Sequence, residues 1–168
     1  MIKDKVLLLI KISKKNNLNI SVAESCTGGL LSSSIIEIPG ASDIFNSGFI
    51  TYSNGAKIKH LGVNKNTVKK FGAVSNETSL AMAKGLYKIS KSNLIVSITG
   101  VAGPGGGTLK NPVGTVYFTF GVRQNKKTIT YSTYRHNFKS KNRVGIQKKS
   151  VNYVLDKFIE IARTYKLD

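Results

Sequence analysis

The sequence predicts an α/β fold in three layers (α/β/α), with a mixed, partly parallel sheet covered by helices on both faces. Three observations predict it. Strand-length and helix-length apolar patterns follow one another as helix, strand, helix, strand, helices, strand, two strands, helix. The run 93–99 carries Leu94, Ile95, Val96 and Ile98, as in a strand buried on both faces. The runs 113–122 and 128–135 flank a polar turn at Gln124 and Asn125, which reads as an antiparallel hairpin and makes the sheet mixed. With 168 residues and no repeat or linker, a single domain over 1–168 is expected.

Each element has a local cause. Residues 2–15 place Ile2, Val6, Leu9 and Ile10 on one side of a helix, which Asn16 and Asn17 end. Residues 18–23 read as a buried strand. A helix is expected over 28–37, stopped before Pro39 and Gly40. The next strand, 44–52, takes its bulk from Phe45, Phe49 and Ile50. Ser53 or Asn54 caps a short helix through Leu61, and Gly62 stops it. A second short helix covers 64–71. Ser75 reads as the N-cap of a helix over 76–90, with Ala81, Met82, Leu86 and Ile89 facing the core. Strand 93–99 runs into 100–107, a stretch too rich in glycine for regular structure. A long helix over 141–162 closes the chain.

Composition narrows the function. The formal net charge is +18, yet there are 22 lysines and only 4 arginines, spread from Lys3 to Lys166. That spread reads as compositional bias, so any nucleic-acid binding is expected to be non-specific. No apolar stretch approaches the roughly 18 residues of a membrane span. The run 6–12 contains Lys11 and lacks a following cleavage site, so it reads as an amphipathic helix and not a signal peptide. One cysteine, Cys26, rules out an internal disulfide and fits a reducing cytoplasm. The eight acids form no paired-carboxylate site, and His60 and His136 have no ligand-spaced partners. Neither a metal nor another cofactor is therefore expected, and the base of any hydrolase chemistry is expected not to be histidine.

The chemistry concentrates at 23–29, Ala-Glu-Ser-Cys-Thr-Gly-Gly, a strand-to-helix turn. Such a turn can present a nucleophile, Ser25 or Cys26, beside free backbone N–H groups. Tyr52 and Gly100 also fall just past strand ends, and Lys57 follows in the first turn or so of a helix. If those strands are parallel, the three loops open at one edge of the sheet, where ligands of such folds bind. A neutral lysine can deprotonate a serine if desolvation and nearby positive charge bring its pKa from about 10.4 to about 7–8. A tyrosine hydroxyl can relay the proton or orient the serine. Each residue also has a plainer role. Ser25 can be a helix cap, Cys26 a small buried apolar group, Tyr52 an edge-of-core aromatic, Lys57 an exposed helix lysine, and 100–107 a flexible turn. The glycine loop is no P-loop, because GxxxxGK[ST] is absent.

Five blocks in fixed order carry a resemblance: AESCTGG at 23–29, GFITYSNGAK at 48–57, GAVS at 72–75, SITGVAGPGGG at 97–107 and PVGTVYF at 112–118. Together they resemble the CinA family, specifically its C-terminal domain and the stand-alone nicotinamide mononucleotide amidohydrolases within it. The likeness spans about residues 5–165 and includes no molybdopterin-binding-like domain, so the stand-alone form is the expected one. The resemblance implies hydrolysis of nicotinamide mononucleotide to nicotinic acid mononucleotide and ammonia, without metal, by a homodimer. It places the nucleophile on Ser25 and its supporting residues on Tyr52 and Lys57. Cys26, Thr27, Gly28, Asn54, Gly100, Gly103, Gly106 and Arg143 would line the nucleotide pocket. The positive field then has a use, since the substrate carries a phosphate. Two positions depart from the family pattern: Gly105 stands where an aspartate is common, and Gln147 where a second arginine is expected. A lost arginine would weaken phosphate or partner-subunit contacts. The alternative is a module that binds a nucleotide without turnover, or serves competence in a regulatory role.

Overall fold

The structure, a computed structural model, describes residues 1–125 and 128–166. Residues 126–127 and 167–168 of the expected 1–168 domain lie outside the described residues. Twelve elements follow in order: α1 (Ile2–Lys15), β1 (Ile20–Glu24), α2 (Leu30–Ile36), a 3-10 turn (Ala41–Asp43), β2 (Phe45–Ile50), α3 (Asn54–Leu61), α4 (Lys65–Phe71), α5 (Asn76–Ser90), β3 (Leu94–Gly100), β4 (Thr115–Arg123), β5 (Ile129–Asn137) and α6 (Arg143–Thr164). The sheet order is β2-β1-β3-β4-β5. β1 runs parallel to both its neighbours, while β3–β4 and β4–β5 are antiparallel. The sheet is mixed and has helices on both faces, as the residue pattern predicts.

Strand alternation divides the core in two. Ile20, Val22, Val96, Ile98, Phe118 and Phe120 face one side, where Leu9 of α1, Leu31 and Ile35 of α2, and Val154, Leu155 and Phe158 of α6 cover them. Ala23 and Ile95 face the other side, beneath Leu61, Val63, Val68, Met82 and Leu86. On that second side α5 also meets hydroxyls. Ser79 Oγ lies 2.8 Å from Thr119 Oγ1 and 3.2 Å from Ser97 Oγ, and Thr119 Oγ1 lies 2.8 Å from Thr133 Oγ1. Buried hydroxyls need partners, and these satisfy one another. Gly85 lets α5 close on α3, because a Cβ there would collide with the Leu61 carbonyl.

Two local expectations change. The helix expected over 28–37 begins only at Leu30, because Gly28 and Gly29 adopt φ of +60° and +96° and form a turn. L side chains rarely adopt that region, so glycine is the residue that permits the turn. Ile89, expected in the core, is exposed. The buried arc of α5 runs through Ser79, Met82, Ala83 and Leu86, rotated from the expected arc through Ala81, and Ile89 sits in the last turn. Among the described residues no helix is long and apolar enough to cross a membrane.

Candidate active site

The parallel arrangement brings the carboxyl ends of β1, β2 and β3 together. Ser25 is the first residue past β1. Its N–H donates to Ile98 O of β3 at 2.9 Å, and the Glu24 carbonyl accepts from Thr51 N, just past β2, at 2.8 Å. The start of the turn is thus pinned on both flanks. α3 begins four residues after β2, where Ser53 Oγ caps it by accepting from Ala56 N at 3.0 Å. That entry points Lys57 back under the strand ends.

Lys57 is buried, with 1 % of its surface exposed. Its Nζ donates to Ser25 Oγ at 2.9 Å, to Thr51 O at 2.9 Å and to Tyr52 O at 3.4 Å. None of these acceptors carries a charge. Burial therefore lowers the Lys57 pKa below its ordinary value of 10.5, and interaction with Cys26 opposes this more weakly. In the neutral state the amine has two N–H donors for the two carbonyls and one lone pair for the Ser25 hydroxyl proton. The arrangement suits a serine nucleophile with a lysine base.

A cavity of about 300 Å³ opens over this pair. Its floor is Ser25, Cys26, Lys57 and Thr99; its walls are Tyr52, Ala73, Val74, Arg143 and the loop from Gly100 to Gly106. Side-chain-free backbone lets that loop approach. A Cβ at Gly100 would meet Thr115 O, and Gly103 has φ of +82°. Arg143, at the start of α6, ties the two walls together. It donates through Nη1 to Gly103 O at 2.8 Å and through Nη2 to the Tyr52 hydroxyl at 2.9 Å. Asn111 Nδ2 holds the Val74 segment by donating to Val74 O at 2.8 Å.

Eight of the eleven sequence-predicted positions line the cavity: Ser25, Cys26, Tyr52, Lys57, Gly100, Gly103, Gly106 and Arg143. Thr27, Gly28 and Asn54 do not. Thr27 is buried beneath the turn, Gly28 shapes the turn by its positive φ, and Asn54 is exposed at the first position of α3. Tyr52 is neither a core aromatic nor bonded through its hydroxyl to Ser25 or Lys57 among the described residues. It lies two residues past β2, 61 % exposed, with its hydroxyl on Arg143 and its carbonyl toward Lys57. Gln147 donates to Cys26 O at 2.9 Å, and Gly105 lines the cavity. Sequence reasoning missed Ala73, Val74, Thr99, Val101 and Ala102, which present backbone or small side chains. It also missed Glu24, whose signal is an acid placed just ahead of a helix N-terminus.

Burial pushes the Cys26 thiol up to about 12, so at neutral pH the nucleophilic thiolate is essentially absent. Cys26→Ala is therefore expected to keep its turnover rate within about threefold of the parent. Near-complete loss in a steady-state assay would move the nucleophile to the sulfur.

A three-layer α/β/α domain with its cavity past the carboxyl ends of parallel strands, and a buried lysine on a strand-end serine, defines the class of protein. The particular family follows from comparison. Residues 3–162 match the CinA C-terminal domain, and the chain belongs to the CinA family. It is 50 % identical over 121 residues to a CinA-like protein of Kosmotoga olearia, covering 72 % of this chain and 29 % of the relative. It is 42 % identical over 149 residues to a CinA-like protein of Thermotoga neapolitana, covering 89 % and 35 %. The chain thus spans about a third of the length of these curated relatives. The crystal structure of the competence/damage inducible protein CihA from Agrobacterium tumefaciens superposes with a TM-score of 0.89 at 36 % identity, covering 95 % of this chain and 94 % of that one. A CinA superfamily protein from Escherichia coli superposes with a TM-score of 0.87 at 27 % identity, covering 96 % and 90 %.

Proposed function

We propose that the chain is an amidohydrolase that converts nicotinamide mononucleotide to nicotinic acid mononucleotide and ammonia. The observation that carries the reading is the 2.9 Å contact between Lys57 Nζ and Ser25 Oγ, in a buried setting that favours the neutral amine. The substrate comes from the five sequence blocks that resemble the nicotinamide mononucleotide amidohydrolases of this family.

The steps balance with water as co-substrate. Ser25 Oγ attacks the carboxamide carbon, and Lys57 takes its proton. The strand-to-helix turn after Ser25 would offer backbone N–H groups to the oxyanion. Lys57 then gives the proton to the departing nitrogen, the C–N bond breaks, and ammonia leaves an ester on Ser25. Water attacks the ester while Lys57 takes its proton. The C–O bond to Ser25 breaks, the hydroxyl is restored, and the carboxylate departs. Tyr52 and Arg143 form the rim on which the nucleotide portion rests, with the guanidinium matched to a phosphate. By the same likeness we read the protein as a homodimer, and from its single cysteine as cytoplasmic.

The deciding experiment is an ammonia assay on purified protein with nicotinamide mononucleotide, nicotinamide and glutamine side by side. Release from the mononucleotide alone is expected. No release from it would leave a nucleotide-binding module without turnover.

A further inference from the structure

We infer that Glu24 is a positioning residue for Ser25: its carboxylate fixes the strand-to-helix turn that aims the hydroxyl at Lys57. The inference rests on the reading of Ser25 as a nucleophile.

Glu24 is fully buried, yet no cation pairs with it among the described residues. Four donors surround it instead. Oε2 accepts from Gly29 N and Leu31 N, each at 3.1 Å, and Oε1 accepts from Ser32 N at 2.8 Å and Ser32 Oγ at 2.6 Å. Three of the four are the orphan N–H groups at the start of α2, which a helix must satisfy from outside itself. An ordinary cap comes from the residue next to the first turn. Here that residue is Gly29, which has no side chain to offer. The cap is supplied from five residues upstream, by the residue covalently joined to Ser25. The four residues between the anchors form a closed turn, in which Gly28 N donates to Ser25 O at 3.1 Å. The turn cannot slide along α2 without dragging the nucleophile.

The main chain of Glu24 reaches the other partner. Its carbonyl holds Thr51 N at 2.8 Å, and the Thr51 carbonyl in turn accepts from Lys57 Nζ. One residue therefore braces serine and lysine together, by side chain on one side and backbone on the other. The carboxylate also occupies the positive end of α2.

Glu24→Gln tests this with minimal change of shape. An amide has one acceptor oxygen, so either orientation sets its NH2 against two donors, at Gly29 and Leu31 or at Ser32. With a fluorophosphonate probe, the rate of Ser25 labelling is expected to fall about 30- to 100-fold, and kcat for the mononucleotide with it, while KM stays within about threefold. Leu31→Val, which loosens α2 but keeps the carboxylate, serves as the control and is expected to label at the parental rate despite a lower Tm. If Glu24→Gln does not fold, Ser32→Ala removes a single donor and is expected to slow labelling about threefold. Parental labelling in the folded Glu24→Gln protein, or in Ser32→Ala where that must stand in, overturns the inference. So does equal slowing in Leu31→Val, which would mean general loosening. An unlabelled parent protein that also releases no ammonia would instead end the nucleophile reading itself, and this inference with it.

Discussion

Ser25→Ala is expected to lower kcat by about 10⁵-fold or more, in line with deletion of a nucleophile elsewhere. Binding should survive. The substitution removes one oxygen from the cavity floor, while the backbone N–H of residue 25 keeps its bond to Ile98 O and the turn keeps its anchors on Glu24. The cavity walls at Tyr52, Arg143 and the glycine loop are untouched. Calorimetry with the mononucleotide should therefore give a Kd within a few-fold of the parent, with no ammonia released. The dissociation of binding from turnover is the informative result, because a merely misfolded variant would lose both.

Retained turnover in Ser25→Ala would leave two other nucleophiles. One is Cys26, which the thiol pKa of about 12 disfavours. The other is a water activated directly by Lys57. Trapping with hydroxylamine during turnover of Ser25→Ala separates these cases: a thioester on Cys26 yields a hydroxamate, and direct attack by water yields none.

The fold was legible because its elements obey short-range rules. Val6, Leu9 and Ile10 mark α1 by period, and Ser75 marks the start of α5, where its Oγ accepts from Thr78 N at 3.1 Å. The convergence of the loops at Ser25, Tyr52 and Gly100 followed from assuming parallel strands, which β1, β2 and β3 are. What stayed hidden depends on distant partners. A lysine in the first turn of a helix reads as solvated, and only the parallel strand ends above it make Lys57 buried. Tyr52 reads as the end of a strand beside the site, but nothing local says that its hydroxyl finds Arg143 across 91 residues of sequence. Glu24 reads as one acid in the strand-to-helix turn, because the donors it serves become available only once Gly28 and Gly29 fold the turn back. Thr27, Gly28 and Asn54 belong to the same sequence blocks as the cavity residues, and a block cannot say which of its members face inward.

Lys57→Met is expected to lower kcat by about 10³-fold, the usual range for loss of a positioned general base. Methionine fills a similar volume without the amine, so the cavity floor remains while Ser25 keeps its proton. Stability at neutral pH is a poor diagnostic here. The change relieves the cost of a buried charge but orphans the Thr51 carbonyl, and the two effects oppose.

The pH dependence is the sharper measurement. In the folded protein the Lys57 pKa lies below 10.5, so between the lowered value and 10.5 the unfolded chain binds more protons. Stability must then rise with pH across that window, with the penalty for burying the ammonium fully present below the folded value. With the neutral amine as the proposed base, kcat/KM should climb through the same lowered pKa and level off before 10.5. One group thus governs two observables, and both should lose that dependence in Lys57→Met. Denaturant melts and kcat/KM profiles across the same pH range check the pairing. A parent enzyme whose rate is flat through that window while its stability still rises would keep Lys57 as a buried strut and remove it from the proton transfer.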